Sequence, residues 1–92
     1  MQKVIVSDTS CLILFYKIGE LDLLNKVFDQ ITITNTVALE YKRNLPEWIL
    51  VQEPSSNLHL GLKGFLDSGE ATSISLAFEC KDSLLIIDEA KG

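Results

Sequence analysis

Val4-Ile5-Val6-Ser7-Asp8-Thr9-Ser10, near the start of this 92-residue chain, decides its fold class. Three consecutive β-branched residues stiffen the backbone toward the extended state, and a run of them suits a strand buried in a sheet. The strand is predicted from Lys3 to Ser7. Asp8-Thr9-Ser10 then supplies side-chain oxygens of the kind that end strands and cap helices. A helix should start near Ser10, carry Cys11, Leu12, Leu14 and Phe15, and break at Gly19, beyond which Leu21, Leu24 and Phe28 repeat at helical spacing. Asp8 therefore stands just past a strand end.

The same unit recurs further along. Ile31-Thr32-Ile33-Thr34 alternates apolar and hydroxyl residues as a short strand does, and Asn35 or Thr36 is expected to cap a helix carrying Val37, Glu40 and Tyr41. Pro46, Pro54 and Ser55-Ser56-Asn57 punctuate a connector, within which residues 48–52 read as only a weak extended piece and as variable surface. A short helix is expected over residues 58–66, weakened by Gly61 and Gly64. Ser68-Gly69-Glu70 opens the clearest helix, with Ala71, Ile74, Ala77 and Phe78 as its apolar stripe and an end near Lys81. Leu84 to Ile87 is then a buried strand that delivers Asp88 and Glu89. Alternation of this kind predicts an α/β fold: a three-layer α/β/α domain on a central, mainly parallel sheet, with functional groups outside the carboxyl ends of the strands.

Bulk properties narrow the function. Residues 1–92 are expected to form a single domain, because a second core would lack apolar material, and 47% hydrophobic residues fit an ordered chain. A net charge of −5 argues against a broad basic nucleic-acid footprint, so any such role must use a local site. No stretch approaches the roughly 20 apolar residues that cross a bilayer. Cys11 and Cys80 lack a CxxC or CxxH partner, which fits buried thiols in a reducing cytoplasm and neither a zinc site nor a disulfide framework. A cytoplasmic location is expected.

The acidic residues carry the chemistry. At about 100° per residue, Glu70 projects to the side of Ile74 and Ala77, at the edge of the core face, with no Lys or Arg one turn away to compensate it. Glu40 stands beside Val37 and Tyr41 and leans toward the sheet. Two helical glutamates and the strand-end aspartates Asp8 and Asp88 can converge. Like charges so gathered oppose folding unless a hard cation joins them, and Mg²⁺ or Mn²⁺ suits an all-oxygen set better than Zn²⁺ does. Such an ion activates water and stabilises charge during phosphodiester cleavage.

These residues resemble a known family. VIVSDTSCLILFYKIGELDLL, then ITITNTVALEY, then LDSGEATSISLAFECKDSLLIIDE is similar to the PIN-domain superfamily, specifically its bacterial group related to VapC-type toxins. Nearly all of the chain is covered, and the specific parts are DTS after the first strand, V-x-x-E at Val37 to Glu40, GEA at Gly69 to Ala71, and IDE after the last strand. The resemblance implies a toxin-type endoribonuclease in which Asp8, Glu40, Glu70 and Asp88, with Glu89 as the alternative to Asp88, hold Mg²⁺ or Mn²⁺. Thr9 or Ser10 would orient a water or a phosphate, Lys42 and Arg43 would guide RNA, and a small cognate antitoxin would block the site. Relatives usually continue past the last acidic motif, so the chain is expected to lack the C-terminal helix and strand and to leave a sheet edge exposed.

Plainer readings compete. Asp8 also suits a helix cap, Glu40 a solvated position beside Lys42 and Arg43, Glu70 a complement to a helix N-terminus, and Asp88-Glu89 the start of a further helix. His59 reads as a lone loop histidine, and Trp48 and Tyr41 as packing residues. Rival α/β sites fit poorly. A haloacid-dehalogenase-like site wants an acid where Ser10 stands, a receiver domain wants one where Ser7 stands, and a nucleotide-binding fold wants a glycine-rich turn after the first strand. The second functional reading is a non-catalytic PIN-like module whose sheet edge serves a homodimer or antitoxin contact.

Overall fold

The structure, a computed structural model, describes residues 3–55, 60–61, 68–80 and 82–87. Strand β1 (Val4–Ser7) passes through Asp8 into helix α1 (Thr9–Lys17). Gly19 ends that helix in left-handed backbone (φ 74°), with its N–H on the Tyr16 carbonyl, and α2 (Leu21–Phe28) follows. Strand β2 (Ile31–Ile33), helix α3 (Asn35–Tyr41), strand β3 (Ile49–Val51), helix α4 (Ser68–Glu79) and strand β4 (Ser83–Ile86) complete the described elements.

All four strands are parallel, in the order β3-β2-β1-β4. The connections leaving β1 and β2 step one way across the sheet, whereas the chain later returns to the far side of β1 to form β4. The strand order thus reverses between β1 and β4, the switch point at which open α/β sheets form a crevice beyond their carboxyl ends. Asp8 lies at that point, its N–H donating to the Ile86 carbonyl at 3.3 Å.

The main core explains the β-branched run. Ile5, Ile31, Ile33 and Ile49 share one sheet face by register and pack with Leu12, Leu24, Val37 and Tyr41 from α1, α2 and α3. Val6 alternates to the opposite face and is also fully buried, and α4 packs on β1 and β4 with Ala71 and Leu76 buried. Strand β1 is therefore covered on both sides, each large aliphatic side chain gaining about 1.5–3 kcal/mol over exposure.

Several expectations need correction. Residues 49–51 are a full parallel strand and not loose surface: Ile31, Thr32 and Ile33 lie in register with Ile49, Leu50 and Val51, and Ile49 enters the core. The cap of α3 is Thr34, whose hydroxyl accepts the Val37 N–H at 3.1 Å, and not Asn35 or Thr36 as expected. Of the apolar stripe read from Ala71, Ile74, Ala77 and Phe78, Ala71 is fully buried, Ile74 and Ala77 are half-buried and Phe78 is 79% exposed, while Thr72, Ser75 and Leu76 fill the buried side of α4. Hydroxyls cause the difference: Thr72 and Ser73 bond back to the carbonyls of Ser68 and Gly69 and can be buried without unmet polarity. Most of the helix expected over residues 58–66 lies outside the described residues, as do His59, Asp88 and Glu89; Leu60 and Gly61 are helical.

Candidate active site

Asp8 is built in by two requirements at once. Its extended backbone (φ −85°, ψ 175°) closes β1, and its Oδ1 accepts the Cys11 N–H at 2.9 Å as the N-cap of α1. The side chain is only 1% exposed, although it carries a carboxyl group. The capping role is thus real, and it fixes a buried carboxyl group at the carboxyl edge of the central strand.

Thr9 begins α1 beside it. Its hydroxyl donates to Glu40 Oε1 at 2.6 Å, a bond between residues 31 apart that joins the start of α1 to the last turn of α3. Gly69 faces this pair. A Cβ placed on Gly69 would come closer than 3.0 Å to both Glu40 Oε1 and Thr9 Oγ1, so the absence of a side chain makes the room in which they meet. Glu70 follows, half-buried in the first turn of α4, where the helix dipole favours a negative charge.

Hydroxyls tie that first turn to the sheet. Thr72 Oγ1 donates to the Ser68 carbonyl at 2.9 Å, which leaves Thr34 to donate in the 2.8 Å bond between the two threonines, while Thr34 accepts the Val37 N–H. Ser73 Oγ lies 2.7 Å from the Gly69 carbonyl and 3.4 Å from that of Ser7. Such chains polarise one another, and here they run from the end of β2 to the turn that holds Gly69 and Glu70.

Of the expected site residues, Thr9, next to Asp8 in the chain, meets Glu40 at one edge of the sheet, with Gly69 against that pair and Glu70 following it in α4. Ser10 is half-buried in the first turn of α1. Lys42 is the exposed C-cap of α3 in left-handed backbone (φ 59°), and Arg43 stacks on Tyr16. Among the described residues no three His, Cys, Asp or Glu side chains gather closely enough to hold a metal ion by themselves, and Asp88 and Glu89 lie outside them. The steric role of Gly69 and the hydroxyl bonds of Thr34 and Thr72 escaped the sequence reading. The available signal was a glycine in the first turn of a helix, which costs about 1 kcal/mol against alanine and calls for a reason.

The donor set fits a hard divalent cation. Carboxylate and hydroxyl oxygens are the ligands Mg²⁺ and Mn²⁺ prefer, and the bare Gly69 gives a cradle that any Cβ would fill. A parallel α/β domain with oxygen donors at its switch point is the class that fold and site define. Within that class the chain belongs to the PIN domain family, whose model matches residues 4–92. PIN domains are nuclease-type, nucleic-acid-binding modules that generally depend on a divalent metal. No curated protein and no solved structure matches the chain significantly. No helix among the described residues is long and apolar enough to cross a membrane.

Proposed function

We propose that the chain is a metal-dependent endoribonuclease of toxin-antitoxin type, cleaving RNA phosphodiester bonds in the cytoplasm and restrained by a cognate antitoxin. The observation that carries this reading is the Thr9 hydroxyl bonded to Glu40 over the bare Gly69, directly after the buried Asp8. Asp8, Glu40, Glu70 and Asp88, with Glu89 as the alternative to Asp88, are the residues that would hold Mg²⁺ or Mn²⁺. The chemistry such an ion would supply is activation of water and neutralisation of the charge developing on the phosphate.

The chain's own residues do the rest. Asp8 is held rigid by its capping bond, so its carboxyl group does not have to be ordered when substrate arrives. Thr9 holds the Glu40 carboxylate through its hydroxyl and thereby sets the direction in which that carboxylate faces. Asp8→Asn isolates the chemistry, because asparagine caps a helix about as well as aspartate and the fold should persist. With Mn²⁺ present, cleavage of a single-stranded RNA should fall by more than about 100-fold in this variant, since loss even of groups that merely orient metal ligands costs 10–100-fold. Cleavage at the wild-type rate would exclude the mechanism and leave the chain as a binding module.

A further inference from the structure

Three of the eight Lys and Arg residues, Lys17, Lys42 and Arg43, stand at the C-terminal ends of α1 and α3. There the Arg43 guanidinium carbon lies 4.4 Å from the centroid of the Tyr16 ring and 5.6 Å from that of Tyr41. The two rings meet edge to face, 6.1 Å apart at 88°. Arg43 Nη1 also donates to the Tyr41 carbonyl at 2.9 Å. Tyr41 is buried in the core, whereas Tyr16 is 48% exposed and Arg43 is exposed. A planar cation is thus held on an aromatic ring, fixed by a hydrogen bond, and open to solvent. The rotamer entropy an arginine loses on binding is already lost in folding.

The position relates this stack to the acidic site. Thr9 and Tyr16 are seven residues apart in α1, so about 700° of rotation returns them to one face, roughly 10 Å apart along the axis. Leu12 and Ile13, between them on that face, pack into the core, so a strand that meets both would bridge the two ends of the contact between α1 and α3. We propose that the Arg43–Tyr16 stack is a binding platform for an unpaired base and its phosphate in single-stranded RNA, two helical turns from the Asp8–Glu40 site. The proposal rests on the nuclease reading and adds the path of the strand. Guanidinium planes and aromatic rings take bases that are unstacked, and duplex RNA conceals those faces. In a chain of net charge −5 a diffuse electrostatic grip is weak, so stacking carries a larger share of the binding.

A purely structural role would have Arg43 complement the C-terminal end of α3 and nothing more. Arg43→Lys separates the two, because it keeps the charge at the helix end and removes the flat face. The test is fluorescence anisotropy of the full chain with a labelled single-stranded RNA of about 12 nucleotides, in EDTA to prevent cleavage, with melting temperatures measured alongside. Tyr16→Leu and Arg43→Lys should each weaken binding about tenfold, Tyr16→Phe should bind as wild type, and a duplex of the same sequence should bind less tightly. Should Tyr16→Leu fold poorly, Arg43→Lys, altered at an exposed side chain, carries the test alone. Unchanged binding by Arg43→Lys, or equal binding of duplex, overturns the platform. Cleavage of the same RNA in Mn²⁺ is scored separately, so that Arg43-dependent binding without Asp8-dependent cleavage removes the nuclease reading and leaves the platform.

Discussion

Replacing Gly69 by alanine adds one methyl group at the place where the site is tightest. That Cβ would stand closer than 3.0 Å to Glu40 Oε1 and to Thr9 Oγ1, so one of them must move. Thr9 is short and fixed in the first turn of α1, whereas Glu40 is an exposed, flexible side chain. Glu40 therefore swings aside and the 2.6 Å bond breaks. Losing a charge-assisted hydrogen bond at a solvated position costs about 1 kcal/mol, and alanine in place of glycine inside a helix returns about the same. Urea denaturation of Gly69→Ala should accordingly give a stability within about 1 kcal/mol of wild type. Activity should behave differently, because displacing a reacting or positioning group by about 1 Å costs on the order of 100-fold. Mn²⁺-dependent RNA cleavage by the same preparation is the second readout. A variant with wild-type stability and wild-type cleavage would refute the reasoning, since Glu40 would then have no need of its place against Gly69.

Two further perturbations follow from the buried hydroxyls. The Tyr41 hydroxyl is buried with no hydrogen-bond partner among the described residues, and burial, only partly offset by Arg43 and reinforced by Tyr16, raises its pKa above the ordinary 10.0. A raised folded pKa means a contribution present in full below that ordinary value and lost as pH rises through the folded one. Stability should decline in that alkaline window, and Tyr41→Phe should flatten the decline and add about 1 kcal/mol at neutral pH, as read by denaturation at several pH values. Thr34→Val and Thr72→Val, combined in a double-mutant cycle, should show a coupling of about 1 kcal/mol, because each loses the same hydroxyl–hydroxyl bond; strictly additive losses would contradict the chain of bonds described.

The parts of the fold that were legible in the sequence are those written in apolar periodicity or backbone chemistry. Val4-Ile5-Val6 announces a strand covered on both faces, Gly19 a helix end, and Asp8 a cap at a strand end, and the structure places each accordingly. Strand β3 read as only a weak extended piece because prolines surround it and only Ile49 of its three residues is buried, so pairing with β2, and not burial, makes it a strand. The face of α4 was legible only in part, at Ala71, for a related reason. Thr72, Ser73 and Ser75 count as polar in any hydropathy pattern, yet they are buried in the folded chain, Thr72 and Ser73 with their hydroxyls on the preceding turn. In the site, Asp8 and Glu40 could be singled out as acids, but the steric role of Gly69 exists only once α4 is packed against α3 with the Thr9 side chain beside it.

The central claim is that the acidic edge of β1 holds a divalent cation through Asp8 and its neighbours. Thermal unfolding with and without Mn²⁺, on wild type and Asp8→Asn, tests it most directly. A ligand at about 100 times its Kd stabilises the folded state by about 2.7 kcal/mol, which for a domain of this size raises the melting temperature by on the order of 10 °C or more. The account predicts that rise for wild type and its loss in Asp8→Asn. An identical response in both proteins, or none in wild type, would contradict it.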